Sequence, residues 1–468
     1  MAWPNPFRRR TAKTVSHYGY TFEWTDEHLS EEDAHKLRFT YDELADRVLA
    51  RLDAISPPQK QPPSATATST TEKASSVESE QSKPASRDLY ALLRDNKDSD
   101  PVLRELWDQV TTVPEWVDWP QIGRGQDVFY RYGGPNLTGL AYQALLGGMG
   151  GARVVETLAR TGGFSIKVAR RRLFETTQHV LQVTRSLDAL EPGKGEGFES
   201  TVRVRLLHAA VRKRILGLAQ ARPSYYSVAE HGVPINDLDS AATIATFSST
   251  LIWLSLPRQG IFMRSAEAAD YIAMWRYVAY LIGAPTDFFS TPSRAKAFMQ
   301  SVFLYEIRPT QTSVLLANNI ITALHHQPPG YASAEFLSAS ARWLNGPQLS
   351  DALQLPRVSL YYSLLMLGQC AFFAFVSYTY RAVDAWDRKK IEVLRKVFWQ
   401  VVVESRYGLE GKTTDFDFNG PGLILWGLFQ HVVRPQLHWS EISRCRSCFK
   451  LLPARESTRM YGVHALII

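Results

Sequence analysis

Over much of the chain, apolar residues recur three and four positions apart, as they do along one face of an α-helix. The clearest segments with this spacing are VARRRLFETTQHVLQVTRSL, VRVRLLHAAVRKRI, DYIAMWRYVAYLIG, AKAFMQSVFLYEI and SVLLANNIITALHH. Alternating strand patterns beside hairpin turn signals are scarce, and no repeat of 20–50 residues is found. The pattern therefore predicts a mainly α fold, a bundle of helices.

The same pattern divides the chain into four parts. Residues 56–87 are rich in Pro, Ser and Thr and almost free of large apolar side chains, so we predict a disordered linker. Residues 1–55 form an N-terminal extension whose last part, SEEDAHKLRFTYDELADRVLARLDAI, predicts one or two amphipathic helices. Residues 88–405 are predicted to be the functional domain, and residues 406–468 an irregular C-terminal tail.

One predicted helix is uncharged over its whole length. Val358–Tyr380 runs for 23 residues between Arg357 and Arg381, which is long enough to cross a bilayer. Its Ser, Tyr, Gln and Gly residues make it less apolar than a typical span, so a buried core helix is the favoured interpretation and a membrane helix the alternative. A second uncharged stretch, Ser240–Pro257, is more polar still and is also predicted to lie in the core.

Composition and charge exclude some classes of protein. Hydrophobic residues make up 45% of the chain and aromatic residues 12%, which indicates a globular or membrane-associated protein rather than a disordered one. The net charge is +7, but 53 basic against 46 acidic residues is a mild excess. Such a surface attracts anionic lipid or an acidic cofactor. There is no zinc-finger spacing, no aromatic RNA-binding motif and no long basic tract, so we expect no nucleic-acid partner.

Cysteine usage and the N-terminus indicate an intracellular protein. Three cysteines cannot form a disulfide framework, which favours a reducing compartment. The first residues, MAWPNPFRRRTAK, have no apolar run behind them, so we expect no secretory signal. Cys445 and Cys448 form a lone CxxC with His431 and His438 upstream. A structural zinc site usually needs a second close pair, so we interpret these thiols as incidental.

The common catalytic signatures are missing from the sequence. There is no GxxxxGK[ST], HExxH or GxSxG motif, and no GxGxxG follows a predicted strand. The glycine cluster Leu145–Gly151 lacks the spacing of a dinucleotide loop, so we expect it to form a turn or a close contact between helices.

One histidine stands among aliphatic residues on a predicted helix. On Val202–Ile215, one face carries Val204, His208, Val211 and Ile215. A haem iron needs a neutral nitrogen donor in an apolar slot, and His208 offers one, with Arg205 and Arg212 near enough to neutralise the propionates. The alternative is a core imidazole that is hydrogen-bonded to a backbone carbonyl, and for a histidine taken alone this alternative is favoured.

A second group of residues shifts the interpretation of His208 from a core imidazole toward a haem ligand. Arg172 and Thr176 are four apart on one helical face, and Glu156 precedes Arg172 by sixteen residues on a segment ended by Gly162–Gly163. A carboxylate, a guanidinium and a hydroxyl around one cavity suit a general base with orienting groups. His179 follows Arg172 by seven residues and is an alternative axial ligand, but His208 has the more aliphatic flanks.

A third motif contains Trp275, Arg276 and Tyr280 at helical spacing. We predict that these residues pack in the core, with Arg276 paired to a carboxylate. A contact between Arg276 and a propionate is the alternative.

Together these motifs resemble the domain shared by bacterial latex clearing proteins (rubber oxygenases) and fungal oxygenases of the mycophenolic-acid type. That family has a glutamate, then Arg-x-x-Lys-Thr sixteen residues later, then a histidine about thirty residues beyond. The matching residues here are Glu156, Arg172 with Thr176, and His208. The resemblance includes GVPINDLD and WRYVAYLIGAP and covers residues 110–310, with a fainter continuation to about 400. It departs at Glu175, which stands in place of the motif's lysine.

The resemblance implies a helical fold whose globin-like core holds haem b. It makes His208 the proximal iron ligand and Glu156 a distal general base that takes an allylic proton, with Arg172 and Thr176 supporting the distal side. Related enzymes use O2 to cleave a carbon–carbon double bond in an isoprenoid chain and leave carbonyl ends.

We therefore expect a haem-dependent oxygenase that acts on an apolar, prenylated small molecule and associates with an internal membrane such as the endoplasmic reticulum. The missing secretory signal argues against an extracellular polymer as the substrate. The alternatives are a haem peroxidase or hydroxylase on the same scaffold, and a non-catalytic helical protein that binds haem or lipid. No pattern in the chain indicates an oligomeric state.

Overall fold

The computed structural model describes residues 10–58, 87–412 and 414. It opens with a hairpin in which β1 (Thr14–His17) pairs antiparallel with β2 (Tyr20–Glu23). This hairpin was not predicted, because each strand has only four residues. Two helices follow, α1 (Glu31–Leu37) and α2 (Glu43–Ile55), where the sequence predicts one or two.

The rest of the described chain is helical, which confirms the mainly α fold. The helices are α3 (Leu89–Asn96), α4 (Pro101–Thr111), α5 (Trp119–Arg131), α6 (Gly133–Gly139), α7 (Ala152–Thr161), α8 (Ile166–Val183), α9 (Glu196–Ala221), α10 (Val228–His231), α11 (Asp237–Phe247), α12 (Leu256–Arg258), α13 (Ser265–Leu281), α14 (Pro292–Glu306), α15 (Gln311–Leu324), α16 (Ala334–Ala352), α17 (Leu360–Arg381) and α18 (Asp384–Trp399). Short π-helical segments at Leu140–Leu146, Leu251–Ser255 and Gln400–Glu404 link or extend them.

Most of the predicted linker, and the predicted tail beyond residue 414 with its CxxC motif, lie outside the described residues. The described N-terminal part packs on the helical body, where α2 contacts both α4 and α9. The four-part division of the chain stays a prediction.

The largest hydrophobic cluster lies where α5, α9 and α13 meet, around Phe129, Phe198 and Trp275. Helices α5 and α13 approach closely because α5 carries Gly125 at the contact. A Cβ atom at this position would lie 2.3 Å from the carbonyl oxygen of Asp270. Any larger residue at position 125 therefore pushes the two helices apart.

Helix α9 is tied to α2 by buried ion pairs. Arg205 is 2% exposed, and its Nε and Nη2 donate to the carboxylate of Asp42 at 2.6 and 2.9 Å. Seven residues on, Arg212 Nη2 donates to Asp46 at 2.9 Å, and its Nη1 donates to the carbonyl oxygen of Ile235. Each guanidinium is therefore neutralised by a carboxylate from the N-terminal part of the chain.

Helix α17 is largely exposed, so the prediction that Val358–Tyr380 is a buried core helix is wrong. Only a narrow stripe is buried against the body, formed by Met366, Cys370, Phe373 and Ser377. Leu360 and Phe375 are 73% and 68% exposed. Within the described ranges, α17 is the one helix long and apolar enough to cross a membrane. By contrast, the Ser240–Pro257 stretch is mostly buried, as predicted.

The ion pair between Arg205 and Asp42 generates a stability prediction. Replacing Arg205 by Met leaves the Asp42 carboxylate, which is 13% exposed, without its partner, so we expect a loss of up to about 3–5 kcal/mol in the free energy of unfolding. Urea denaturation of the full chain measures it. Arg47→Met is the control, because Arg47 and Glu105 are both about half exposed, and we expect a change below about 1 kcal/mol. Equal losses in both variants would contradict this account.

Candidate functional site

Helices α8, α9, α11 and α13 surround a cavity of about 1050 Å³, its mouth included. Aliphatic and aromatic side chains form most of the wall: Val204, Leu207, Ile244, Phe247, Val278 and Ile282. The polar and charged groups come mainly from α8, with His208 on α9 and two hydroxyls on α11. The cavity therefore suits an apolar ligand that also carries polar or charged groups.

His208 lies in the wall of this cavity. On α9 it follows Val204 by four residues and Leu207 by one, so all three side chains line the same surface. No hydrogen bond to His208 is found among residues 10–58, 87–412 and 414, so the alternative of a core imidazole satisfied by a backbone carbonyl is not what the structure shows. Burial, with a smaller contribution from the Arg212 charge, lowers the pKa of His208 to about 4. The ring is therefore a neutral nitrogen donor facing open space.

A second imidazole, His179 on α8, lines the same cavity. Its Nδ1 lies 2.8 Å from the hydroxyl of Ser200 on α9, which fixes the orientation of the ring. Burial lowers the pKa of His179 to about 4 as well. Both rings are therefore neutral at physiological pH, and they differ in that only His179 is tied to a protein partner.

Arg172 and Thr176 also line the cavity, so the structure brings these two predicted residues together with His208. The Arg172 guanidinium packs over Gly163, where an added Cβ would lie 3.4 Å from its Nε. Within the described parts of the chain, Arg172 has no carboxylate partner and no hydrogen bond. Arg172 therefore places an unpaired positive charge at the cavity. The neighbouring Arg171 differs, because its Nε pairs with the carboxylate of Glu175 at 2.9 Å.

Glu156 does not line this cavity. It lies on α7, where its Oε2 accepts from Nη1 of Arg160, one helical turn later, at 2.6 Å. Arg160 is held in turn by the carbonyl oxygen of Tyr225. The carboxylate that the cavity does contain is Glu175, at the position where the family motif has lysine. The predicted group of four is thus brought together only in part.

Arg205 and Arg212 are a correction to the sequence analysis. They were expected to neutralise propionates, but neither lines the cavity, and each is paired with a carboxylate of α2. Sequence spacing placed them beside His208 correctly. It did not show that residues more than 160 positions earlier supply their partners.

Several cavity residues were not predicted. Trp275 was expected to pack in the core, and it does, stacked on Phe247 with ring centroids 5.0 Å apart, but both residues also line the cavity. Arg276 lies over the ring of Trp116, and it pairs with no carboxylate in the described part of the chain. On α11, Ser240, Thr243 and Ile244 carry no sequence signal that distinguishes a cavity wall from a packed core.

Comparisons with known proteins bear on this site. Residues 130–372, just over half of the chain, match the family described as "ER-bound oxygenase mpaB/B'/Rubber oxygenase, catalytic domain". The chain belongs to this oxygenase family. A solved structure of latex clearing protein in the closed state superposes with a TM-score of 0.55, at 19% identity, over 79% of this chain and 93% of that chain. At this identity the likeness shows a shared fold. No curated protein matches the chain.

The family assignment confirms the resemblance drawn from Glu156, Arg172, Thr176 and His208 as a set of motifs. It places α6 to α16 and the first half of α17 within the oxygenase catalytic domain. The cavity, which α8, α9, α11 and α13 form, lies inside the matched range except for Thr414. We therefore treat this cavity as the candidate active site of an oxygenase.

The lowered pKa of His179 has a consequence for stability in the protein without bound ligand. The unfolded chain takes up this proton near pH 6.5 and the folded chain near pH 4, so stability falls as the pH drops through that window. The full effect is about 3 kcal/mol. We expect His179→Gln to show a shallower loss of stability than the parent chain when urea denaturation is repeated from pH 7 to pH 4. Parallel curves would show that His179 is not buried in its neutral form.

Proposed function

We propose that this chain is a haem-b-dependent oxygenase that cleaves a carbon–carbon double bond in an isoprenoid or prenylated small molecule, with His208 as the iron ligand. The observation that carries the proposal is the neutral imidazole of His208, without a protein partner, in the wall of an apolar cavity. Membership of the oxygenase family supports an oxidative reaction in this cavity.

The residues of the cavity fit haem in three respects. Haem iron takes a neutral imidazole nitrogen, which the lowered pKa of His208 provides. The porphyrin needs apolar walls, which Val204, Ile244 and Val278 supply. A propionate needs a cation that has no internal partner, and this is Arg172 rather than Arg205 or Arg212. The proposed cofactor is therefore still haem b, but Arg172 replaces Arg205 and Arg212 as the residue that would bind a propionate.

Bound haem supplies an iron centre at which O2 can react with an alkene. The cavity's own residues position the substrate. Phe247 and Ile282 give an apolar chain a dry surface to lie on, and Thr176 adds a hydroxyl at the same wall. Cleavage of a double bond by O2 places one oxygen atom on each new carbonyl group, so the overall reaction balances without a reductant.

The proton acceptor is the part of the proposal on which the resemblance and the geometry differ. The resemblance assigns this role to Glu156, whose carboxylate is held by Arg160 in this structure. Catalytic contacts often tighten only when substrate is bound, so Glu156 stays in the proposal as the base. Its action requires that the carboxylate leave Arg160 and turn toward the cavity. Glu175 is already at the cavity and is the matched comparison.

The two histidines provide a direct test of the haem ligand. We expect His208→Ala to lose the Soret absorption of haem-loaded protein and to lose turnover, because the iron has no other protein donor in this proposal. His179→Ala should keep the Soret band, since His179 is tied to Ser200. The measurement is an absorption spectrum of each variant after haem reconstitution. Loss of the band in His179→Ala alone would assign the iron to the other ring.

The two glutamates provide a test of the base. Glu156→Gln is expected to keep the haem spectrum and lower kcat by about 10²–10⁴-fold, the usual contribution of a general base. Glu175→Gln is expected to keep most of the activity. Product analysis by mass spectrometry accompanies the rates, because carbonyl fragments indicate cleavage and an intact carbon skeleton indicates a hydroxylase or peroxidase. If Glu175→Gln lowers kcat more than Glu156→Gln does, the base is Glu175 instead.

The same proposal includes association with an internal membrane through α17. Its exposed side chains include Leu360, Leu364 and Phe375. Tyrosines stand near both ends, and Arg357 and Arg381 flank the apolar stretch, as expected for a segment at a lipid surface. Since the buried stripe of α17 packs against the body, we propose that the helix lies in the plane of the interface.

Phe375→Glu tests the membrane proposal. A carboxylate on the exposed apolar face opposes insertion, so we expect this variant to bind phosphatidylcholine vesicles at least about tenfold more weakly than the parent chain. Flotation of the full chain with vesicles measures the binding. Ile166→Glu, on an exposed apolar position of α8, is the control and is expected to float like the parent. Unchanged flotation of Phe375→Glu would contradict the placement of α17 at the membrane.

A further inference from the structure

A second cavity, of about 930 Å³ with its mouth included, lies between α12, α16 and the start of α17. Three arginines line it, Arg258, Arg342 and Arg357. One carboxylate serves two of them: Asp351 accepts from Arg342 Nη2 at 2.7 Å and from Arg357 Nη2 at 3.3 Å. Among the described residues, three guanidinium groups are thus balanced by a single carboxylate, and the cavity carries an excess of positive charge.

Of the three arginines, Arg258 is the one whose positive charge is not balanced by a carboxylate among the described residues. It is only 8% exposed, and its Nη1 donates to the carbonyl oxygen of Leu344. No carboxylate within the described ranges forms an ion pair with it. Burial lowers the pKa of Arg258 to about 10, so the side chain still carries its charge at neutral pH. A buried, unpaired cation is unfavourable unless an anion joins it, which points to a ligand that brings negative charge.

The backbone around the cavity is open to such a ligand. Helix α16 is broken at Gly346, whose φ of 77° is in the left-handed region, and Pro347 follows. A Cβ atom built on Gly346 would meet no other atom within 4 Å, so the break borders empty space. On the other side, Val358 and Ser363 bring the first turn of the 22-residue helix α17 to the cavity. The N-cap, Ser359, makes no side-chain capping bond, so backbone N–H groups of this turn are available to an anion.

We propose that this cavity binds a phosphate group. Guanidinium groups match the geometry of phosphate oxygens, and a helix N-terminus adds backbone donors and a favourable dipole. Arg258 would contact the anion from the buried side and Arg357, which is 83% exposed, from the mouth. The site shares no residue with the cavity of His208, so it does not depend on the haem proposal.

The phosphate has two possible sources, a membrane lipid headgroup or a soluble phosphate compound. The position of the cavity favours the lipid. Its mouth lies at the beginning of α17, where Leu360, Tyr361 and Leu364 are exposed. A headgroup phosphate held by the arginines would place its acyl chains beside this apolar face. Recognition of the headgroup would then fix the depth and orientation of the protein on the membrane.

The first arm of the test uses inorganic phosphate and the full chain. At ionic strength held constant with sodium chloride, we expect phosphate to raise the melting temperature of the parent chain and to have no effect on Arg258→Met. Arg357→Gln, at an exposed position that folding does not require, is expected to weaken the apparent affinity about tenfold, the typical effect of one charge-assisted hydrogen bond. Arg294→Met, about half exposed and remote from the cavity, is the control and should respond like the parent.

The second arm identifies the source. Vesicles of phosphatidylcholine are compared with vesicles that also contain phosphatidic acid. If the ligand is a headgroup, phosphatidic acid strengthens binding of the parent chain, and Arg357→Gln removes most of that gain while Lys389→Gln, an exposed cation on α18, removes little. If phosphate stabilises the protein but Arg357→Gln binds the vesicles as strongly as the parent chain does, the ligand is a soluble phosphate compound. A phosphate response that is absent, or that persists unchanged in both Arg258→Met and Arg357→Gln, overturns the proposal.

Discussion

Helix α9 carries the constraint on which the rest of the structure depends. On one side its two buried arginines pair with Asp42 and Asp46 of α2, and on another side His208 faces the cavity. Two ion pairs seven residues apart fix the rotation of the helix about its axis, because neither guanidinium can leave its carboxylate without a large free-energy cost. The direction of the imidazole is thereby set by ion pairs that lie about one helical turn before and after it. The N-terminal part of the chain, which contains no cavity residue, is needed to hold the candidate active site in place.

The electrostatic pattern of the molecule is simple when described in terms of paired and unpaired cations. Arg205, Arg212 and Arg153 are buried beside carboxylates and serve the fold. Arg172 and Arg258 have no carboxylate partner among the described residues, and each lines a cavity. Arg276 also has no carboxylate partner among the described residues but lies over Trp116, so an unpaired guanidinium indicates a ligand site only where it also lines a cavity.

Local features of the fold and site were predictable from the sequence, and features set by distant residues were not. The helical periodicity, the end of α7 at Gly162 and the shared face of Arg172 and Thr176 depend on neighbouring residues, and the structure has them. The partners of Arg205 and Arg212 come from α2, and the partner of Glu156 is Arg160, a choice among rotamers that spacing does not decide. The partners of the two arginines depend on how the helices pack. The Glu156–Arg160 pair lies within one helix, and a distant residue acts on it only through the Tyr225 carbonyl oxygen that holds Arg160.

The exposure of α17 was also not predictable from the sequence, because it depends on how the helices pack. An uncharged stretch of 23 residues fits a protein core and a lipid surface equally well, and only the positions of α16 and α18 show that most of the helix is left uncovered. The β-hairpin was missed because strands of four residues are too short for a recognisable alternation. Cavity residues such as Ile244 and Val278 are chemically identical to core residues, so their role appears only when the space beside them is seen.

The central claim is that the ring at position 208 binds a haem iron inside the cavity between α8, α9, α11 and α13. A crystal structure of the haem-reconstituted full chain tests it most directly. The account predicts continuous density from this imidazole to the iron, with the porphyrin against Val204 and Ile244 and a propionate near Arg172. Haem bound at another surface, or an iron ligated only by His179, would contradict the account.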